Sequence, residues 1–293
     1  MSAFANIAIG GIFHAAVLFL VAAGLQLVFG VQKIVNLACG SFYALGAYFG
    51  ITAVTYAQQA GVPPIFLLPV LIVAGLLMAA VGPLIERLLR PIYDRDESFQ
   101  LLLTFALVLM FQDVFRFVWG ANPRSLDNVY LVYGKLTIGE FSVPGYNLLV
   151  IAAAFAVAIG IGAFLRRTNF GRLLRATAEN RSMAEAMGVN ARRVYAIVFT
   201  IGTLLGTLGG ALIVPTAAAS LEMGVEVVIE AFAVVVIGGL GSMPGALIGS
   251  LLVGLIRAVS LIVYPEFEIL AIYLIVIGVL LLRPAGLFGK PAA

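Results

Sequence analysis

The stretch IAIGGIFHAAVLFLVAAGLQLVF occupies residues 7–29 and carries no Asp, Glu, Lys or Arg. As an α-helix it would extend over about 34 Å at 1.5 Å per residue. That length exceeds the roughly 30 Å of hydrocarbon in a bilayer. The stretch therefore predicts a transmembrane helix near the N-terminus. No basic residue precedes the run, so we expect it to belong to the mature protein rather than to a removable signal.

The composition extends this prediction to the whole chain. The 293 residues are 62% hydrophobic and 11% charged, with a mean hydropathy of +1.12. Soluble domains carry about 25% charged residues, because their surface must face water. Long apolar runs without period-2 alternation favour helices over the strands of a membrane barrel. We therefore predict an all-α, polytopic membrane bundle that forms one domain over residues 1–293.

Further apolar segments follow the first along the chain. They are Ser41–Ala57, Ile65–Ile85, Leu101–Trp119, Leu148–Leu165, Tyr195–Val214, Val227–Ile237, Ala246–Val263 and Ile269–Leu282. Several are too short for a full span, so the sequence predicts about eight crossings.

Two irregular stretches interrupt this pattern, Gly30–Gly40 (GVQKIVNLACG) and Gly238–Gly245 (GGLGSMPG). Irregular backbone at membrane depth needs shielding by protein or a water-filled cavity. Both stretches are therefore predicted to be broken or re-entrant helices. Their glycines are predicted to be structural, namely Gly40, Gly238, Gly239, Gly241 and Gly245.

Small residues recur four positions apart within several segments. Gly202, Gly206 and Gly210 fall on one helix face, as do Gly46 and Gly50. In lipid, such residues let two helix backbones approach closely. The pattern favours close packing inside one bundle over a seam between two copies of the chain.

Positive charge is distributed unevenly among the loops. It is concentrated at Arg87–Arg95, at residues 166–193, and at the C-terminus with Arg283 and Lys290. The loops near residues 58–64, 220–226 and 265–268 have no Lys or Arg. Because cytoplasmic loops carry the excess of Lys and Arg, we predict that the basic loops and the C-terminus are cytoplasmic. An external N-terminus fits an odd number of crossings.

The most basic loop reads RRTNFGRLLRATAENRSMAEAMGVNARR from Arg166 to Arg193. At helical period, one face of this loop carries mainly apolar residues and the other is polar. The first face comprises Leu173, Ala176, Asn180, Met183, Ala184 and Met187, and the second comprises Arg175, Glu179, Ser182 and Glu185. Gly188 is a typical helix stop, and Asn180 could cap a second short helix.

Three interpretations of this loop stay open from the residues alone. Its apolar face suits docking in the groove of a partner protein. Alternatively, the loop satisfies the positive-inside rule without binding anything, or it lies flat on anionic lipid.

Polar side chains inside the apolar segments are candidates for a translocation pathway, since such groups are costly in lipid and usually face a cavity. The predicted pathway residues are Asn36, Cys39, Ser41, Tyr43 and Glu230. Glu226 lies one helical turn from Glu230, and Arg257 is a possible partner for Glu230. The alternative is that these charges form an internal ion pair that fixes helix positions. His14 and Gln26 are predicted to form hydrogen bonds between helices.

Four segments, taken in order, resemble one known family. They are GVQKIVNLACGSFYALGAY (Gly30–Tyr48), FGRLLRATAENRSMAEAMGVN (Phe170–Asn190), AFAVVVIGGLGSMPGALIGSLLVGL (Ala231–Leu255) and LLRPAGLFGK (Leu281–Lys290). The chain is similar over nearly its whole length to the membrane permeases of ATP-binding-cassette importers for branched-chain amino acids.

This resemblance implies a transmembrane subunit of the prokaryotic inner membrane that pairs with a second, similar permease. Two cytoplasmic ATPase subunits would drive it, and a solute-binding protein outside the membrane would deliver branched-chain or related amino acids. The resemblance also places an ATPase-coupling helix in the basic loop. The implied coupling residues are Arg172, Arg175, Glu179, Met183, Glu185, Met187 and Gly188.

Two positions depart from the family pattern. Ser182 stands where the general importer loop has Glu, and Cys39 stands where the family usually has His. Ser182 bears on the contacts expected with the ATPase subunit, and Cys39 bears on which amino acid the chain is expected to transport.

The energy source follows from what the chain lacks. No G-x-x-x-x-G-K-[ST] phosphate loop is present, so ATP would be bound by partner subunits rather than by this chain. His14 is the single histidine and no cluster has metal-ligand spacing, so we expect no metal, cofactor or enzymatic activity in this chain. The alternative function is an ion-coupled secondary transporter of small polar solutes, whose ion site would be formed by Glu230 and the two glycine-rich breaks.

Overall fold

The computed structural model describes residues 2–93, 95–126, 129–138, 141–263 and 265–289. The predicted C-terminal charge Lys290 lies outside this range. The helices are α1 (Ser2–Gln32), α2 (Cys39–Gln59), α3 (Leu67–Met78), α4 (Gly82–Leu89), α5 (Glu97–Trp119), α6 (Gly145–Arg167), α7 (Asn169–Glu179), α8 (Arg181–Ala186), α9 (Ala191–Ile213), α10 (Met223–Gly238), α11 (Met243–Val263) and α12 (Glu268–Leu282). The predicted all-α membrane bundle is confirmed.

Six helical segments in the described residues are long and apolar enough to cross a membrane. They are Ile7–Gln32, Pro64–Ile92, Ser98–Trp119, Gly145–Arg167, Ala191–Ile213 and Met243–Leu261. The second of these runs through α3 and α4, joined by a 3₁₀ turn. Helices α2, α10 and α12 are shorter or less apolar, so the count of about eight crossings stays a prediction.

Helices α1 and α9 form the centre of the bundle. Both are largely buried, and α9 packs against α1, α2, α3 and α4. Helices α5 and α6 are mainly exposed at its periphery. The central helices therefore position the polar groups described below.

Glycines allow the central helices to approach each other closely. A Cβ on Gly24 of α1 would lie 2.6 Å from the Gly202 carbonyl oxygen of α9, nearer than van der Waals contact permits. A Cβ on Gly46 of α2 would overlap the backbone of Thr207, and one on Gly210 would overlap that of Tyr43. These contacts confirm the predicted packing of small residues within one bundle.

A two-stranded hairpin lies between α5 and α6 and was not predicted. Strand β1 (Lys135–Ile138) pairs antiparallel with β2 (Phe141–Pro144). In the loop before it, the Tyr133 hydroxyl accepts a hydrogen bond from the Leu68 amide at 2.7 Å and donates one to the Ile65 carbonyl at 3.0 Å. These bonds fasten the hairpin to the start of α3.

Candidate functional site

The basic loop folds as two short helices, α7 and α8, between α6 and α9. Each helix in this region begins with a capping side chain that accepts an amide hydrogen bond. Thr168 accepts from Gly171 at 3.1 Å, Asn180 from Met183 at 3.0 Å, and Asn190 from Arg193 at 3.1 Å. Such caps satisfy amides that have no partner within the helix. The predicted break at Asn180 is therefore confirmed.

Helix α8 ends just before Gly188, the residue that the sequence predicted as its stop. Gly188 has a φ of +86°, and its amide donates to the Glu185 carbonyl at 3.0 Å. The left-handed conformation is readily adopted by glycine and ends the helix. The chain then turns into α9.

One face of α7 fastens the loop to the bundle. Gly171, Leu174 and Thr177 are buried, and a Cβ on Gly171 would overlap the Leu165 carbonyl of α6. In contrast, much of the face that the sequence assigned to docking is exposed. Leu173 is 41% exposed, Met183 63% and Met187 80%. Ala184 departs from the predicted face, because it is buried against the bundle.

All seven predicted coupling residues are exposed. They are Arg172, Arg175 and Glu179 on α7, Met183 and Glu185 on α8, and Met187 and Gly188 in the turn that follows. The loop thus presents apolar methionines surrounded by charges. A partner protein with an apolar groove fits this arrangement.

Tyr195 of α9 connects the loop to the membrane helices. The Arg181 guanidinium of α8 lies over its ring, 5.5 Å from the centroid, and Tyr93 meets the ring edge-on at 5.5 Å between centroids. Gln32, at the end of α1, donates a hydrogen bond to the Tyr195 carbonyl at 3.0 Å. We call these four residues the Tyr195 junction. It links α8, α9, α1 and the segment after α4.

The junction continues from Tyr93 to a fully buried carboxylate on α4. The Tyr93 hydroxyl donates to Glu86 at 3.2 Å, and the Arg90 guanidinium lies 2.7 Å from the same carboxylate. Burial, followed by the charge of Glu86, raises the pKa of Tyr93 well above its ordinary value. Tyr93 therefore stays protonated and keeps donating. Sequence reasoning missed this chain of contacts.

The first irregular stretch is non-helical over residues 33–36. Lys33 has a left-handed φ of 58°, and the Asn36 side chain accepts a hydrogen bond from the Ala38 amide at 3.1 Å. Helix α2 then begins at Cys39, and a Cβ on Gly40 would overlap the Gly224 carbonyl of α10. Within the non-helical stretch Ile34 and Asn36 are buried, whereas Lys33 is exposed.

The second irregular stretch is a turn between α10 and α11. Gly238 and Gly245 lie so close together that a Cβ on either would overlap the other's backbone, and Gly239 and Gly241 have positive φ. Gln26 of α1 donates to the Gly239 carbonyl at 2.6 Å. That bond confirms the predicted role of Gln26 between helices.

Three charged or polar side chains from separate helices meet at the opposite end of the bundle. Glu230 of α10 accepts from Arg257 of α11 at 2.8 Å, and its other oxygen lies 2.8 Å from His14 Nε2 of α1. His14 Nε2 also lies 2.8 Å from the Arg257 guanidinium. The predicted pair Glu230–Arg257 is confirmed, and so is His14 as a group that bonds between helices. The sequence did not indicate that His14 joins the pair.

This triad lines a cleft of about 140 Å³, together with Tyr43 and Glu226. The cleft lies beside Ile213 at the end of α9, whereas the Tyr195 junction lies near its start. The 18 residue steps from Tyr195 to Ile213 correspond to roughly 27 Å along the helix axis. The structure therefore separates a docking-type loop from a charged cleft by about the thickness of a bilayer core.

The predicted pathway residues fall into two groups. Tyr43 and Glu230 line the charged cleft. Asn36, Cys39 and Ser41 are buried near the start of α2 and do not line it. Their role in a pathway stays a prediction.

Comparison with known proteins shows one family match over most of the chain. Residues 7–283 match the family described as "Branched-chain amino acid transport system / permease component". The chain is 28% identical to the high-affinity branched-chain amino acid transport system permease protein BraD of Pseudomonas aeruginosa, over 93% of this chain and 91% of that relative. It is 27% identical to the corresponding permease protein LivH of Escherichia coli K12, with the same coverage.

An archaeal relative is also similar. The probable branched-chain amino acid transport permease protein LivH of Methanocaldococcus jannaschii is 32% identical, over 87% of this chain and 80% of the relative. The family match at residues 7–283 covers the basic loop, the two irregular stretches and the charged cleft.

Proposed function

The chain belongs to the family of permease components of branched-chain amino acid transport systems. We propose that its basic loop binds the ATPase subunit and transmits that subunit's conformational change, and that its helical bundle transports the amino acid. In this account the chain pairs with a second permease in the inner membrane. Two cytoplasmic ATPase subunits bind ATP, and a solute-binding protein supplies the cargo from outside. The basic loops and the C-terminus face the cytoplasm.

The observation that carries this proposal is the exposed apolar surface of the loop. Met183 and Met187 are 63% and 80% exposed, although the starts of α7 and α8 are capped and Leu174 and Ala184 anchor them to the bundle. Methionine adapts to irregular apolar grooves and is frequent at docking surfaces. The ring of charges, including Arg175, Glu179 and Glu185, gives such an interface its orientation.

The Tyr195 junction gives the docked loop a physical route to the membrane helices. A displacement of α8 moves the Arg181 guanidinium, which contacts the Tyr195 ring. Tyr195 in turn contacts Tyr93 and is held by Gln32. We propose that ATP binding moves these groups together, so that α1, α9 and the end of α4 rearrange and expose the pathway alternately to each side.

The test replaces the exposed methionines by charge. The double variant Met183→Glu, Met187→Glu should lower ATPase affinity at least tenfold, since a buried interface anchor contributes more than about 1 kcal/mol. The assay is co-purification of ATPase subunits with tagged permease, together with ATP-driven uptake. Leu131→Glu is the matched control, because Leu131 is 57% exposed in the loop before β1, at the other end of α6. Undiminished co-purification and uptake in the double variant would exclude this docking surface.

Omitting the ATPase subunits from the uptake assay tests the alternative function, a secondary transporter. Proteoliposomes that contain the permease without ATPase subunits should show no uptake under a proton or sodium gradient. Uptake driven by such a gradient would refute the ATP-driven function and support ion coupling.

A further inference from the structure

The charged cleft continues into a second, apolar cavity. This cavity has a volume of about 410 Å³ and lies between the first part of α1, the end of α9 and the last turns of α11. Its lining includes Gly10, Gly11, Gly254, Ala258 and Leu261. We call it the apolar lobe, and we call the cleft lined by His14, Tyr43, Glu226, Glu230 and Arg257 the polar lobe.

The two lobes are neighbours with shared walls. His14, Ile213, Ala217 and Arg257 line both. Each lobe is far larger than the roughly 10–15 Å³ that one water requires. A molecule with one charged end and one aliphatic end could therefore place each end in a matching environment.

The polar lobe offers charges of both signs. The Arg257 guanidinium is 30% exposed and is already oriented by Glu230 and His14. Glu226 is exposed on the same face of α10, one turn before Glu230, and its carboxylate has no hydrogen bond or ion pair to the side chains and amides that the structure describes. An arginine suits a carboxylate, and a carboxylate that has no protein partner suits an ammonium group.

The apolar lobe is open beside Gly10, whereas Gly11 and Gly254 pack closely against each other. A Cβ on Gly10 would meet nothing within 4 Å, so its side of α1 faces open space. Ile213, Ala258 and Leu261 supply aliphatic walls. Burial of an aliphatic side chain there is favourable, since it removes apolar surface from water.

We propose that the two lobes form a transient binding site for a zwitterionic amino acid with an aliphatic side chain, on the side of the bundle opposite the basic loop. The carboxylate lies at Arg257 and His14, the ammonium group at Glu226, and the side chain in the apolar lobe beside Gly10. This inference rests on the proposed function, since it treats the chain as the permease through which the amino acid passes.

Two variants test the site without breaking the triad. Gly10→Leu places a leucine side chain in the apolar lobe and narrows it, and Glu226→Gln removes the charge offered to the ammonium group. The assay is ATP-driven uptake of radiolabelled L-leucine and L-alanine by proteoliposomes that contain the complete transporter, with saturating binding protein. Gly278→Leu and Glu222→Gln are matched controls. Gly278 is a helical glycine with nothing within 4 Å, and Glu222 is exposed just before α10 and lies outside both lobes.

We expect Gly10→Leu to lower leucine uptake about tenfold relative to alanine, because a narrowed pocket discriminates by side-chain size. We expect Glu226→Gln to lower the uptake of both about tenfold, while the controls match the wild type. Wild-type rates and ratios in both variants would overturn the site and leave the proposed function standing, provided that ATPase subunits still co-purify. Absence of ATP-driven uptake in the wild type would instead refute the proposed function.

Discussion

The ion pair between Glu230 and Arg257 should show strong energetic coupling. Its two charges are in contact at 2.8 Å, and the side chains are only 15% and 30% exposed. Two charges with centres about 4 Å apart interact by about 4 kcal/mol at an effective dielectric constant of 20. Partial exposure to solvent reduces this value, so we expect a coupling free energy on the order of 2–3 kcal/mol.

A double-mutant cycle measures that coupling. Glu230→Gln alone and Arg257→Gln alone should each cost about 3 kcal/mol, because each leaves the other charge without its main partner. The double variant should cost clearly less than the sum of the two. The assay is thermal unfolding of the detergent-solubilised permease, in which about 3 kcal/mol corresponds to a decrease in Tm of roughly 5 °C.

The control cycle pairs Arg257→Gln with Glu222→Gln. Glu222 precedes α10 and does not line the cleft with Arg257, so the two effects should add within about 0.5 kcal/mol. If the Glu230 and Arg257 effects also add, the two side chains do not form the pair that the structure describes, and the reasoning fails.

Two further predictions concern backbone packing and capping. Gly40→Leu should sharply reduce the yield of folded protein, because a Cβ at this position would overlap the Gly224 carbonyl. Gly162→Leu is the control and should not reduce the yield, because nothing lies within 4 Å of a Cβ there. Gel filtration of the tagged proteins compares the two variants, and equal monodisperse yields would refute the close contact. Asn180→Ala should destabilise α8 by about 1 kcal/mol through loss of its cap on the Met183 amide. Hydrogen exchange should then be faster in α8 than in the wild type, and unchanged exchange would contradict the role of the cap.

Local patterns in the sequence predicted much of this structure. The apolar runs identified the long helices, because length and composition decide whether a helix can cross a bilayer. The glycine spacing in α9 predicted close packing, and the Asn180 cap and the Gly188 stop were recognisable from residue type and position. Each of these features depends on residues that are near one another in the chain.

The missed features depend on residues that are far apart. His14 joins Glu230 across 216 positions, and no local pattern signals that contact. The Tyr195 junction likewise assembles from four separate segments of the chain. The hairpin of β1 and β2 has only four residues per strand, too short to stand out within a mixed loop. Ala184 lay on the predicted docking face, but it is buried against the bundle.

The central claim is that the exposed turn after α8 touches the ATPase. A photo-cross-linking amino acid placed at Met187 tests this most directly, with the same residue at Leu131 for comparison. The account predicts a covalent product with the ATPase subunit from Met187 in membranes that contain the assembled transporter, and no such product from Leu131. A Met187 probe that labels lipid alone, or a Leu131 probe that labels the ATPase, would contradict the account.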